Sequence, residues 1–342
     1  MMCCKSKKRI TMNSSQVSYF TLTAYLDSGA LKYLFFIVVV FLYVFIIVAN
    51  VLVIVVICVN RSLHEPMYMF LCSLFVNELY GSTGLFPFLL IQILSDVHTV
   101  SAPLCFLQIF CVYTYANLQL SNLAVMSYDR YLAICCPLQY HTRMSLSKVS
   151  LLIALTWLCP FLAITVLISL SAPLQLCGNI INKVYCDNNS LIKLSCSDTR
   201  VINIYGVLGA ILVTVCSVSL IFYTYMRILK VCFSGSKQTR QKAVSTCTPH
   251  LASLLNFSCG SFFEISQNRL NMVQVPIMLH IFLSLYWLIC PPLFNPVLYG
   301  LNLTKIRIIC KSLILVKCKC LMLKLRQDSA VGDRKFGESK GQ

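Results

Sequence analysis

Long uninterrupted apolar segments dominate the pattern of hydrophobic and polar positions along the chain. Six segments contain no Asp, Glu, Lys or Arg, and a seventh is interrupted once, by Glu78. They are residues 33–60, 66–95, 97–128, 149–182, 201–226, 243–263 and 271–304. Each can hold the roughly 20 apolar residues that an α-helix needs to cross a bilayer. The pattern therefore predicts seven membrane-spanning helices.

Two other architectures would give different patterns. The strands of a membrane β-barrel alternate apolar and polar residues, whereas residues 35–48 do not alternate. A water-soluble bundle needs charged outer faces, and soluble domains carry roughly 25% charged residues. This chain is 58% hydrophobic and only 11% charged. The expected fold class is therefore an all-α membrane protein, a seven-transmembrane-helix bundle.

Lys and Arg residues are concentrated on one side of the predicted membrane. Five lie between the fifth and sixth spans, from Arg227 to Lys242, and ten follow the seventh span. Because cytoplasmic loops are rich in Lys and Arg, the N-terminus is expected outside and the C-terminus in the cytosol. The formal charge of +17 then reflects topology and attraction to anionic inner-leaflet lipid. Nucleic-acid binding is not expected, because no basic soluble domain is present.

The spans divide the chain into an extracellular tail (1–30), a receptor domain (31–304) and a cytosolic tail with a short amphipathic helix (305–342). The basic start lacks the apolar core and cleavage site of a signal peptide. Because Met12 opens a segment with a glycosylation sequon, we expect residues 1–11 to be an upstream extension. Asn13 and Asn188 are the sequons predicted to carry glycan.

The 20 cysteines fall into two groups. Most lie within spans or at the cytosolic face, where Cys310, Cys318 and Cys320 are palmitoylation candidates. The remaining cysteines, apart from Cys3 and Cys4, lie outside the membrane on the oxidising side, where disulfides are expected. Four cysteines can form disulfides in three pairings. The four cysteines on this side are Cys105, Cys177, Cys186 and Cys196.

Five short segments carry the strongest functional signal. They are LHEPMYMF at 63–70, MSYDRYLAIC at 126–135, SDT at 197–199, KAVSTCTPH at 242–250 and PLFNPVLY at 292–299. In this order and on these spans they resemble the signature of vertebrate odorant receptors, within the rhodopsin-like G-protein-coupled receptors. The resemblance covers nearly the whole chain. The start at Asn13 and segment 77–80 look most like fish members.

The resemblance implies an activation switch at the cytosolic end of the bundle. Arg130 alone could simply extend to the membrane interface, but Asp129 beside it can hold it in an ion pair that breaks on activation. Pro296 removes a backbone hydrogen bond and kinks the seventh helix. His250 is either an activation- or pH-sensitive contact or a packed histidine. The implied switch residues are Asp129, Arg130, Tyr131, Tyr225, His250, Asn295, Pro296 and Tyr299.

Glu78 is an acid in the middle of the second span, and an ionisable group at that depth is a functional hypothesis by default. We expect a polar core of Asn50, Glu78, Gln119 and Asn295. The family usually has Asp in place of Glu78, and many members have an acid in place of Gln119, so a sodium ion near Glu78 is in doubt. A protonated Glu78 that only joins helices is the alternative. No other metal and no cofactor is expected.

The resemblance places a small-molecule pocket in the upper bundle, between the third, fifth and sixth spans. Val112, Tyr113, Ala116 and Asn117 share one stripe of the third helix by helical spacing. Amine receptors of the wider superfamily carry an Asp where Val112 stands, so no ammonium anchor is expected there. The weaker pocket candidates are Tyr205, Phe262 and Ile265. The resemblance also implies two disulfides, Cys105–Cys186 and Cys177–Cys196.

The implied function is that of an odorant receptor in the plasma membrane of olfactory cilia. It would bind a small-molecule odorant, activate a stimulatory, olfactory-type heterotrimeric G protein to raise cyclic AMP, and catalyse no reaction. A channel or transporter is the first alternative, but such proteins usually have several midplane charges or repeats. An intramembrane enzyme would need a catalytic pair or zinc motif that the spans lack. A receptor for a non-olfactory ligand remains open.

Overall fold

The computed structural model of the protein describes residues 17–25, 29–235, 237–269, 277–303 and 305–309, most of which form long helices. The seven long helices follow the order of the seven predicted spans, which confirms the seven-helix bundle. They are α1 (Leu31–Val59), α2 (Pro66–Leu94), α3 (Ala102–Cys135), α5 (Leu146–Ser171), α7 (Arg200–Ser234), α8 (Lys237–Arg269) and α9 (Ile277–Asn302). Short helices α4 (Tyr140–Arg143) and α6 (Asn188–Leu194) lie in the connections.

Six of the long helices are apolar and long enough to cross a membrane, and α8 completes the bundle with a more polar composition. The difference lies partly in the charged residues near the two ends of α8 and partly in polar side chains that α8 turns inward. His250 and Ser253 are 2% and 0% exposed. A polar group is tolerated at membrane depth when it faces the bundle interior. The apolar segment predicted at 243–263 therefore lies inside α8 as a helix with a polar inner face.

The outward surface of the bundle is apolar. Large side chains such as Phe41 on α1 and Leu212 and Phe222 on α7 are 65–70% exposed, which suits contact with lipid tails. The interior contains two main hydrophobic clusters. One surrounds Phe70, Phe75 and Tyr299 near the inner end of the bundle, and the other surrounds Tyr115, Tyr185 and Trp287 in the outer half.

Helix α3 occupies the middle of the bundle and packs against α2, α5, α7 and α8. A polar chain ties it to two of these neighbours. The Ser73 hydroxyl on α2 donates to the Asn122 side chain on α3 at 2.8 Å, and the Trp157 indole on α5 donates to Ser73 at 2.9 Å. These bonds fix the relative rotation of three helices, which apolar packing alone would leave less specific.

A three-stranded sheet, which the sequence pattern did not predict, covers one end of the bundle. The strands are β1 (Tyr19–Leu22), β2 (Thr99–Ser101) and β3 (Ile180–Ile181). The N-terminal strand β1 is central, antiparallel to β2 and parallel to β3. Following the predicted orientation, we call this end the outer end. Three segments too short to form strands alone thus stabilise one another through main-chain hydrogen bonds.

Two pairs of cysteines hold the loop between α5 and α7: one pair connects the middle of the loop to the start of α3, and the other connects two positions within the loop. The Cα atoms of Cys105 and Cys186 are 5.4 Å apart, and those of Cys177 and Cys196 are 5.6 Å apart. Both separations lie within the range that a disulfide requires. The structure therefore places the four outer cysteines close enough for the two pairs that the family resemblance implies.

The structure describes one of the two asparagines predicted to carry a glycan. Asn13 lies outside the described residues. Asn188 is 4% exposed, and its Oδ1 accepts a hydrogen bond from the Ser171 hydroxyl at 3.0 Å. A glycan needs a side chain that projects into solvent, so the burial of Asn188 argues against a glycan there.

Replacing Gly81 by Ala should destabilise the receptor, because α2 and α3 approach closely at this position. A Cβ atom at Gly81 would overlap the ring of Tyr115, and overpacking of this kind typically costs about 1–3 kcal/mol. The matched control is Gly209→Ala on α7, where an added Cβ meets no atom within 4 Å. We expect a lower apparent melting temperature for detergent-solubilised Gly81→Ala only; equal values for the two variants would contradict the close packing.

Candidate functional site

A buried carboxylate joins three helices at the middle of the bundle. Oε1 of Glu78 on α2 accepts hydrogen bonds from the side-chain amides of Asn295 on α9 (2.5 Å) and Gln119 on α3 (2.9 Å). Oε2 accepts from the Tyr115 hydroxyl at 3.1 Å. All four side chains are 0% exposed. Glu78 therefore acts as the shared acceptor of a network that spans α2, α3 and α9.

Gln119 also holds a second polar side chain in this network. Its Oε1 accepts a hydrogen bond from the Asn77 amide at 3.0 Å, while its amide donates to Glu78. An acid in place of Gln119 would instead put two carboxylates side by side. Three donors already point at the Glu78 carboxylate, so a sodium ion bound there would have to displace some of them.

Asn50 lies in the core but does not bond to Glu78. Its amide donates to the carbonyls of Ile46 and Pro292, both at 2.9 Å. Pro296 has no N–H, so the Pro292 carbonyl one turn earlier loses its usual helical donor. The Asn50 side chain supplies the replacement, as neighbouring helices commonly do for membrane helices that contain proline. Asn50 thus couples α1 to the proline-containing part of α9.

Arg130 lies at the inner end of α3 and is held by its sequence neighbour. Its guanidinium donates through Nε and Nη2 to Oδ2 of Asp129, with the Nε bond at 3.0 Å. The Tyr140 hydroxyl on α4 donates to the other carboxylate oxygen at 2.7 Å. Asp129 is 0% exposed. The ion pair is thus anchored to the inner loop as well as within α3.

A second polar link joins α7, α8 and α3 above this ion pair. The Tyr225 hydroxyl lies 2.5 Å from Nδ1 of His250, and Nε2 of His250 lies 2.9 Å from the Leu123 carbonyl. A carbonyl can only accept, so Nε2 carries the proton and Nδ1 accepts from Tyr225. His250 is therefore a contact between three helices.

The structure brings four of the eight predicted switch residues to one place. Asp129, Arg130, His250 and Tyr299 all border one small space, which Met67, Met126 and Thr246 complete. Tyr299 is buried and packs edge-on against Phe75, with ring centroids 6.1 Å apart. Tyr131 lies elsewhere, against Tyr128 and Tyr223 on the side towards α7. Tyr131 is therefore separate from the group that could change contacts around Arg130.

The predicted ligand residues are only partly brought together in the outer half of the bundle. Val112, Tyr113 and Ala116 pack with Tyr185 and Trp287 in one hydrophobic cluster. The Asn117 amide is bonded to the Tyr113 carbonyl at 2.8 Å, along its own helix. Tyr205 packs nearby, and its hydroxyl donates to the Ala163 carbonyl at 3.0 Å.

The two α8 candidates do not join this cluster. Phe262 is 66% exposed on the outward side of α8, so it faces lipid instead of the bundle interior. The Ile265 side chain lies outside the described residues. Helical spacing on α3 thus identified residues that face the bundle interior, whereas the aromatic character of Phe262 on α8 did not.

The sequence analysis did not identify three tyrosines that contribute to these contacts. Tyr115 precedes Gln119 by one helical turn, so i, i+4 spacing could have indicated that both reach Glu78. Tyr140 lies 11 residues from its partner Asp129, and no periodic pattern connects them. Tyr185 reaches the interior from a loop, where its hydroxyl lies 3.4 Å from the Trp287 indole nitrogen. Sequence spacing can indicate contacts within a helix, but the other two contacts depend on tertiary folding.

The chain is similar to olfactory receptors over most of its length. The family model described as olfactory receptor matches residues 39–317. Human olfactory receptor 11A1 is 32% identical over 311 residues, covering 90% of this chain and 97% of the relative. Human olfactory receptor 10R2 is 34% identical, covering 85% and 86%. Mouse olfactory receptor 4B13 is 29% identical, covering 86% and 95%.

Replacing Glu78 by Gln should lower stability, because the carboxamide turns an N–H₂ group towards a site where three donors need an acceptor. An unmade buried hydrogen bond costs about 1–3 kcal/mol. The control is Glu65→Gln, whose carboxylate pairs with Lys305 at 2.8 Å but is 56% exposed, and exposed pairs contribute about 0–1 kcal/mol. Thermal unfolding of both purified variants is the measurement; a Glu78→Gln receptor as stable as the control would show that the network needs no carboxylate.

Proposed function

The chain belongs to the olfactory receptor family, and from that premise we propose that it binds an odorant in the outer half of the bundle and activates a stimulatory, olfactory-type G protein, raising cyclic AMP. Members of this family are signalling receptors and not enzymes, and the long apolar helices make this one a multi-pass membrane protein. Its proposed site of action is the plasma membrane of olfactory cilia.

The observation that carries the proposal is the restrained Arg130 at the inner end of α3. Its partner Asp129 is bonded to Tyr140, and the same small space is bordered by His250 and Tyr299. A guanidinium held by a single carboxylate can change partners when neighbouring helices move. The released Arg130 would then be presented to a G protein at the cytosolic face.

The proposed ligand region and Arg130 are too far apart for direct contact. Val112 precedes Arg130 by 18 positions in α3, or about 27 Å at 1.5 Å per residue. An odorant therefore acts on Arg130 by favouring one arrangement of the helices, and such coupling is typically about 1–3 kcal/mol. The Glu78 network lies between the two regions and joins α2, α3 and α9, which makes it the proposed coupling element.

The outer loop has a supporting role in this proposal. The Cys105–Cys186 pair holds the loop against the start of α3, and the Tyr185 side chain next to it fills the outer half of the bundle. We propose that both implied disulfides form in the mature receptor. They would hold Tyr185 at the ligand region and reduce the entropy cost of ordering the loop. The receptor domain proposed from the sequence, residues 31–304, contains the switch, the coupling network and the ligand region.

Replacing Arg130 by Ala should abolish the cyclic AMP response while leaving surface expression and odorant binding largely intact. The reason is positional, since Arg130 lies at the inner end and cannot touch a ligand in the outer half. Arg143→Ala is the control, because Arg143 is an exposed cation at the same end. The test compares cyclic AMP and ligand binding at matched surface levels. Full signalling by Arg130→Ala would mean that Asp129 and Arg130 only terminate the helix.

Replacing Tyr140 by Phe should raise basal signalling, because the change removes the 2.7 Å hydrogen bond to Asp129. Loss of one such bond weakens the resting arrangement by about 1 kcal/mol, roughly a fivefold shift towards the active state. The control is Tyr223→Phe, which removes a hydroxyl from an exposed ring on α7. Cyclic AMP without odorant is the readout, and unchanged basal levels in Tyr140→Phe would exclude Tyr140 as a restraint.

A further inference from the structure

Three charged side chains are buried together at the outer end of the bundle. Nζ of Lys183, in the loop after β3, lies 2.5 Å from Oε1 of Glu264 on α8 and 3.4 Å from Oδ2 of Asp187. Their side chains are only 8%, 13% and 4% exposed. A surface ion pair contributes little, but charges removed from water are expensive and need close partners. This cluster therefore has a stronger requirement for partners than an ordinary loop ion pair.

The charged cluster borders the hydrophobic cluster that contains the predicted ligand residues. Nζ of Lys183 lies 5.5 Å from the centroid of the Tyr185 ring, and Tyr185 packs with Val112 and Trp287. Tyr113 is also close enough to Asp187 and Glu264 to interact with their charge. A molecule seated against Tyr113 and Tyr185 would thus have its apolar part in the bundle and one end at these carboxylates.

Asp187 is the member of the cluster with the fewest interactions. Neither of its carboxylate oxygens accepts a hydrogen bond from any residue in the described part of the chain. It precedes α6, but its side chain makes no capping bond to that helix. The nearby Lys183 ammonium is already bonded to Glu264 at 2.5 Å. A buried carboxylate in this position is best satisfied by a further cationic N–H donor.

The charge state of Lys183 determines which ligand chemistry fits. Burial lowers the pKa of Lys183, but Asp187 and Glu264 outweigh this effect and raise that pKa above its ordinary value. Lys183 therefore stays protonated at neutral pH and cannot act as a free amine towards aldehydes. An anionic odorant would meet two carboxylates beside an ammonium that is already engaged, so a carboxylic acid is a poor match.

We propose that Asp187, supported by Lys183 and Glu264, is the polar anchor of the ligand site and that the receptor's ligands are protonated aliphatic amines. The inference rests on the proposed function and names the ligand class for the same site. An alkylamine has a pKa near that of lysine, about 10.4, and is therefore a cation at pH 7. The anchor would come from the outer loop, because Val112 offers no acid on α3.

The test uses purified full-length receptor in lipid nanodiscs, with hexylamine, 1-hexanol and hexanoate as matched probes. Thermal stabilisation reports binding without a G protein, and a cyclic AMP reporter in cells is read in parallel. We expect hexylamine to stabilise the receptor more than the other two probes do. Asp187→Asn should weaken hexylamine binding about 10- to 100-fold, the range expected for one hydrogen bond to a charged group.

Two features of the variants separate recognition from folding. Asp187→Asn keeps the size and shape of the side chain and leaves Lys183 paired with Glu264 at 2.5 Å, so the variant should fold, and its melting temperature without a probe is the reference for its probe-induced shifts. Asp198→Asn removes a carboxylate from the same end of the bundle, but that side chain is 72% exposed. Binding of hexylamine to Asp198→Asn should match that of the unmodified receptor.

The outcomes distinguish this inference from the proposed function. Amine binding without a cyclic AMP response would support the anchor and overturn the proposed signalling output. Stronger stabilisation by hexanol or hexanoate than by hexylamine, or stabilisation by none of the three, would overturn the amine proposal. Hexylamine binding that is equal in Asp187→Asn and the unmodified receptor would overturn Asp187 as the anchor.

Discussion

The burial of polar side chains inside a membrane bundle is the constraint on which this structure depends. Helices in lipid gain little from apolar contact with one another, because lipid tails are equally apolar. Hydrogen bonds between buried polar groups therefore add specificity to the packing. Glu78 provides the centre of this arrangement by accepting bonds from Tyr115, Gln119 and Asn295. A carboxylate suits this place because all of its partners are donors.

The same principle explains how the proline-containing segment of α9 is tolerated. Pro296 leaves the Pro292 carbonyl without its helical donor, and Asn50 on α1 supplies one. Asn295, next to the proline, bonds to Glu78. The least regular segment of the bundle is therefore tied to both α1 and α2. A shift of α9 would have to break or rearrange these bonds together, which is the property that a two-state element requires.

The inner and outer ends of the bundle use polar contacts in different ways. At the inner end, Asp129 and Arg130 are adjacent in sequence, so their ion pair stabilises no distant contact by itself. Such a pair is suited to release, and Tyr140 adds the tertiary restraint. At the outer end, Lys183 and Glu264 are 81 positions apart, so their ion pair connects the loop to α8. The first arrangement fits a switch and the second fits recognition at the mouth of the bundle.

The sequence alone determined the seven-helix architecture, because the absence of charge over each long segment leaves few structural alternatives in lipid. It also determined the family, since five motifs in order identify it, and it indicated that Glu78 needs buried partners. Only the tertiary structure identified those partners: the Tyr115 hydroxyl donates to Glu78, whereas the Asn50 amide donates to the Pro292 carbonyl and not to Glu78. The outer sheet, the Tyr140 restraint and the position of Tyr185 also required the folded chain. The physical reason is that the hydropathy of a segment determines by itself whether that segment can span the membrane. A hydrogen bond between two helices depends in addition on how the helices are rotated relative to each other and on how the loops connect them.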